Sequence, residues 1–136
     1  MPIVQFLKLY AATAAVFFAL DLTWLGVVAK GFYRAQLGHL MRSDTQWVPA
    51  VLFYLIYVAA AIVLCVQPAV ERQSVARAIG TGALFGLAAY AAFDLTSLAL
   101  LKDFPATVAV VDLAWGTVLT GSVCGASYLV ARALSA

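Results

Sequence analysis

Four apolar runs, each long enough to cross a bilayer, take up most of this sequence, and three of them contain an aspartate. Backbone in hydrocarbon must satisfy its own amides and carbonyls, so runs of this length without strand-like alternation fold as helices. The acids sit in a phrase used three times: Asp21-Leu22-Thr23-Trp24, Asp94-Leu95-Thr96-Ser97 and Asp112-Leu113-Ala114-Trp115. An unpaired carboxylate at the centre of an inserted helix costs roughly 3 kcal/mol. Acids retained at that cost are functional by default, which makes Asp21, Asp94 and Asp112 the first candidate site residues. The bland alternative is that they hydrogen-bond across helices and hold the bundle together.

Composition agrees with a membrane-embedded chain. Of 136 residues, 65% are hydrophobic and 10% charged, with a mean hydropathy of +1.02, against about 25% charged residues in soluble domains. The length admits one domain, read as a single transmembrane domain over residues 1–136. A net charge of +2 without a basic patch gives no argument for nucleic acid, and none is predicted as a partner. Cys65 and Cys124 lie in apolar runs without paired spacing, so neither a disulfide framework nor a zinc site is indicated, and both read as buried structural thiols. The first apolar run exceeds a signal-peptide core and lacks a well-placed cleavage site, and reads as an uncleaved membrane helix.

In chain order, helix 1 is expected over residues 3–28. Between helices 1 and 2, Tyr33, Leu37, Leu40 and Met41 recur at helical spacing opposite Arg34, Gln36 and Arg42, which predicts a short amphipathic helix at the membrane interface. Helix 2 is expected over 46–67, with capping oxygens in Ser43-Asp44-Thr45, Pro49 in its first turn and Pro68 as its stop. Helix 3 is expected over 74–101 and helix 4 over 105–133. An even number of spans places both termini on one side. Lys8, Arg72, Arg77 and Arg132 lie on that side and Lys30, Arg34, Arg42 and Lys102 on the other, so positive charge sets no orientation.

Helix 3 laid on helix 1 aligns Phe17 with Tyr90, Asp21 with Asp94, Leu22 with Leu95, Thr23 with Thr96 and Leu25 with Leu98. Val48-Pro49-Ala50 aligns likewise with Phe104-Pro105-Ala106, which predicts two related helical hairpins about an axis along the membrane normal. Ala78, Gly82 and Gly86 in helix 3, and Gly121 and Gly125 in helix 4, recur every four residues and predict close helix approach.

Spacing also predicts a shared depth. Each aspartate lies seven residues from the end of its helix nearest the amphipathic loop, so all three sit about 10 Å below one surface. Trp24 and Trp115 each follow an aspartate by three residues, and Tyr90 precedes Asp94 by one turn, so these aromatics are expected to donate to the acids or wall a pocket. Trp24 serves equally well as an interfacial belt residue, whereas Trp115 lies too deep for one. A partly protonated carboxyl cluster is a proton-handling site in principle. Three carboxylates also suit a hard cation, but no histidine or cysteine joins the layer and no metal or other cofactor is predicted. His39 reads as an interfacial residue rather than a catalyst.

Ala92-Phe93-Asp94-Leu95-Thr96-Ser97 with Lys102, Val111-Asp112-Leu113-Ala114-Trp115-Gly116, and Asp21-x-x-Trp24-Leu25-Gly26 with Tyr33 resemble the domain of unknown function family 2177. The resemblance covers nearly the whole chain, although Ser97 stands where many members have asparagine. It implies four spans and a bacterial inner (cytoplasmic) membrane, and supplies no activity.

The sequence therefore predicts an all-α integral membrane bundle of four transmembrane helices. Its binding site would comprise Asp21, Asp94, Asp112, Trp24, Trp115, Tyr90, Thr96, Ser97 and Lys102. The leading reading is a polytopic protein that binds or translocates a small solute, ion or proton. The alternatives are a membrane-embedded enzyme acting on a lipid or isoprenoid, and an accessory subunit of a larger membrane complex. The bilayer is the expected partner; a small-molecule, ion or lipid ligand, a second copy and a membrane-protein partner all stay open.

Overall fold

Four long helices in the computed structural model, which describes residues 2–44 and 46–135, meet the length and hydropathy needed to cross a membrane. They are α1 (Ile3–Val28), α3 (Trp47–Glu71), α4 (Val75–Leu100) and α5 (Ala106–Ser135), with a short α2 (Phe32–Leu37) after α1. No strand occurs among the described residues. The chain is an all-helical membrane protein.

The fifth helix is the one the others pack around. Half of its most apolar window is buried inside the protein, against 17%, 28% and 11% for α1, α3 and α4. Against α4 the approach is set by missing side chains. A Cβ at Gly86 would lie 2.2 Å from the Gly116 carbonyl oxygen, so the two backbones touch there. Polar pairs join the other helices to α5. The hydroxyls of Thr13 on α1 and Ser127 on α5 lie 2.6 Å apart, and those of Tyr57 on α3 and Thr120 on α5 are also paired. Leu9, Phe17, Val58, Ile62, Leu119 and Val123 fill the space between. Cys65 and Cys124 are buried free thiols that face each other across α3 and α5.

Two spans contain a widened turn. In α1 the segment Trp24–Val28 is wound so that the Ala29 N–H bonds the Trp24 carbonyl at 2.7 Å, five residues back. In α3 the segment Ile62–Val66 does the same, and the Gln67 N–H bonds the Ile62 carbonyl. This corrects the expected end of helix 2 at residue 67, because α3 runs on to Glu71. Pro68 lacks an N–H and its ring crowds the carbonyl four residues back, but the wide turn absorbs both defects within the helix. Thr45 lies outside the described residues, and Gln46 at the cap of α3 makes no side-chain cap bond. By contrast, Ser74 caps α4 through its hydroxyl, which accepts from the Arg77 N–H at 3.1 Å.

Gly31 (φ +82°) reverses the chain after α1, a left-handed conformation that glycine adopts without strain. The stripe expected to face the membrane surface is split. Tyr33 and Leu37 pack inward with Phe32 against Phe104, Val108 and Ala109, whereas Leu40 and Met41 lie beyond α2 and are exposed. A bond of 2.9 Å between His39 Nε2 and the Asp103 carbonyl ties the loop to the start of α5.

The contact at Gly86 yields the first prediction. Gly86→Ala pushes α4 from α5 and lowers stability by about 1–3 kcal/mol, the usual cost of overpacking, in detergent unfolding followed by circular dichroism. Gly80→Ala is the control, since a Cβ there meets nothing within 4 Å; it leaves stability unchanged or raises it.

Candidate functional site

The three aspartates come from α1, α4 and α5 and face one another near the loop end of the bundle. Their hydrogen bonds cross between elements rather than running along one helix. The Trp115 indole N–H on α5 donates to Asp21 Oδ1 on α1 at 3.1 Å. On the other side the Trp24 indole N–H donates to the Tyr33 hydroxyl at 3.0 Å, and that hydroxyl donates to Asp112 Oδ1 at 2.9 Å. The two indoles stack, with centroids 4.5 Å apart and planes 7° from parallel. One aromatic pair thus carries two donor chains, each ending on a different acid.

This crossing alters the pairing expected from helical spacing. Trp24 and Trp115 do not serve the aspartates three residues before them. A long indole carries its N–H away from its own backbone, and the stack directs each N–H towards a group on another element. Trp24 is half-buried inside the stack, which favours the pocket reading over a belt residue.

Tyr33 is the residue that spacing misassigned. Read as part of a surface stripe, it folds inward instead and completes the relay from Trp24 to Asp112. Burial pushes its hydroxyl well above the usual phenol range; the Trp24 N–H opposes this, and the charge of Asp112 adds to it. Tyr33 therefore keeps its proton and acts as a donor across the accessible pH range. The available signal was chemical, since a tyrosine that packs inward needs a partner for its hydroxyl.

Asp94 differs from the other two acids. It is 0% exposed, and neither of its oxygens has a hydrogen-bond partner among the described residues. Its carboxyl lies within hydrogen-bonding reach of the Asp112 carboxyl, but two carboxylates only accept. The groups acting on Asp21 and Asp94 are Trp115 and Asp112, with no basic side chain among them. Lys102 is exposed past the end of α4. Among the described residues, no group of three or more His, Cys, Asp or Glu side chains could hold a metal ion.

The remaining expected residues divide. Tyr90 packs its ring on Gly116, where a Cβ would lie 2.3 Å from the ring carbon Cγ, and so stands beside Asp112 as a wall. Its hydroxyl takes no part in the donor chains. Thr96 is exposed, Ser97 is half-buried, and neither they nor Lys102 joins the network. The helical register that turns Asp94 inward turns Thr96, two residues on, outward.

Removing the Tyr33 hydroxyl deprives Asp112 of its donor and Trp24 of its acceptor. Tyr33→Phe lowers stability in detergent by about 1–3 kcal/mol, read from chemical unfolding. Thr96→Val and Lys102→Ala change it by less than about 0.5 kcal/mol. Equal effects across the three variants would remove Tyr33 from the network.

No curated protein and no solved structure matches the chain. One family model does, over residues 6–129, a span that takes in α2, all three aspartates and both stacked tryptophans. The chain belongs to the family described as predicted membrane protein (DUF2177).

Proposed function

We propose that this protein binds a proton or another small cation at the Asp94–Asp112 carboxyl pair and passes it towards the loop face of the bundle. The observation that carries this reading is Asp94, fully buried with both oxygens unpartnered, beside a second acid and no base. Buried acids without partners are costly, and one proton between the two carboxyls supplies the missing donor. Tyr33 and the stacked indoles would orient Asp112 and Asp21 rather than take the proton, since phenol and indole are donors here. Asp21, held by Trp115, would be the next acceptor along the cluster.

Placement in a bacterial inner membrane and the relation between the two hairpins belong to the same proposal. The aligned positions have taken different work: Phe17 is core, 1% exposed, whereas Tyr90 walls the site. An enzyme acting on a lipid or isoprenoid through an aspartate acid–base pair is the second reading, since an apolar cavity adjoins Asp112. It requires that expression change the host lipid profile in an Asp112-dependent way.

Infrared difference spectroscopy tests the first reading. At pH 7 the wild type shows the carbonyl stretch of a protonated carboxyl, and Asp94→Asn and Asp112→Asn each remove it. Asp103→Asn, outside the cluster on the loop after α4, leaves it intact. A spectrum with carboxylate bands alone would overturn the proton-binding reading.

A further inference from the structure

Beside the carboxyl pair, α3 and α4 part around a cavity of about 300 Å³ lined by Phe53, Tyr54, Ala89, Tyr90, Phe93 and Asp112. That volume is at the lower end for small-molecule pockets. Its rim lies on the outside of the bundle, with Phe53 48% and Phe93 58% exposed. Its inner end is Tyr90, seated on Gly116, together with Asp112. For a helix bundle in a membrane, the outside at this level is the face that acyl chains meet.

The lining selects by charge. Four aromatic rings and one carboxyl line the cavity, a combination that suits a cation and repels an anion. A neutral apolar molecule would fill the walls and leave the acid without a counter-charge. The titratable groups facing the pair are Asp21 from α1, Tyr33 from α2, Tyr54 from α3 and Tyr90 from α4, none of them a base. A fully hydrated inorganic cation gains nothing from an opening on the apolar side. The species suited to both ends is an ammonium ion on an apolar body, which concentrates in the bilayer and approaches from the side.

We infer that the cleft between α3 and α4 is a lipid-facing binding site for a lipophilic ammonium ion, whose positive centre docks at Asp112 between Tyr54 and Tyr90. Docking releases the proton shared by Asp94 and Asp112, so one ammonium bound sets one proton free and the charge of the cluster is conserved. The inference rests on the proton-binding reading and adds its substrate class and its route of access. The ammonium has two sources, a free lipophilic amine or the headgroup of an aminophospholipid.

The test uses the full chain in a neutral maltoside detergent and three probes with one tail: octylammonium, octanol and octanoate. Octylammonium binds at least tenfold more tightly than either of the others, and binding acidifies a weakly buffered solution. Ala89→Trp fills the cleft without altering a carboxyl; it weakens octylammonium at least tenfold and retains the protonated-carboxyl band. Phe93→Ala, at the exposed rim, weakens it about threefold and guards against a misfolded Ala89 variant. Competition by phosphatidylethanolamine but not by phosphatidylglycerol assigns the site to an aminophospholipid headgroup; competition by neither assigns it to a free amine. Equal binding of the three probes, or unchanged octylammonium binding in both cleft variants, overturns the inference while the carboxyl band still stands. Loss of that band in the wild type overturns the proton reading itself.

Discussion

An acid carried into a bilayer by its helix must find its hydrogen bonds inside the protein, and the loop end of this bundle is arranged around that requirement. Asp21 and Asp112 each receive one donor from another element, Trp115 and Tyr33. Those two donors are linked because Trp115 stacks on Trp24, which in turn donates to Tyr33. Fixing the acids therefore fixes α1 against α5 and draws α2 onto the start of α5. A buried network of this kind is strong only when every member is satisfied. Asp94 is the one acid of the three left without a donor among the described residues, and the proposed proton site rests on that.

The widened turn at Trp24–Val28 begins at the residue that starts the relay. Such turns rotate the side chains that follow relative to those before them, and they recur at functional positions in helices. Here the turn separates Asp21, in regular helix, from the end of α1, and Gly31 then reverses the chain so that Tyr33 returns to the bundle. The second widened turn, at Ile62–Val66, has a simpler cause in Pro68.

Much of the acid cluster is legible from residue type and spacing, and the misplacements share a cause. Asp21, Asp94 and Asp112 stood out because acids are rare in apolar runs, and seven-residue offsets placed them at one depth. Trp115 and Tyr90 were expected near the acids and lie near them. The i, i+4 spacing puts Tyr33 on a membrane-facing stripe because it records that two residues share a face, not what the face meets. Thr96 is expected in the site with Asp94, but two residues along a helix turn a side chain to nearly the opposite side.

Sequence alone determined the four spans, their approximate ends and the identity of the costly acids, since hydropathy and helix length are local and additive along the chain. It pairs the donors with the wrong acids and stops helix 2 at Pro68, which α3 in fact passes, and it says nothing of the cleft between α3 and α4. Those outcomes depend on how the helices are rotated and how closely they approach, quantities set by contacts between residues far apart in the chain. Gly86 meeting Gly116 and Trp24 stacking on Trp115 are two such contacts. No single run contains both partners, so only the assembled bundle decides them.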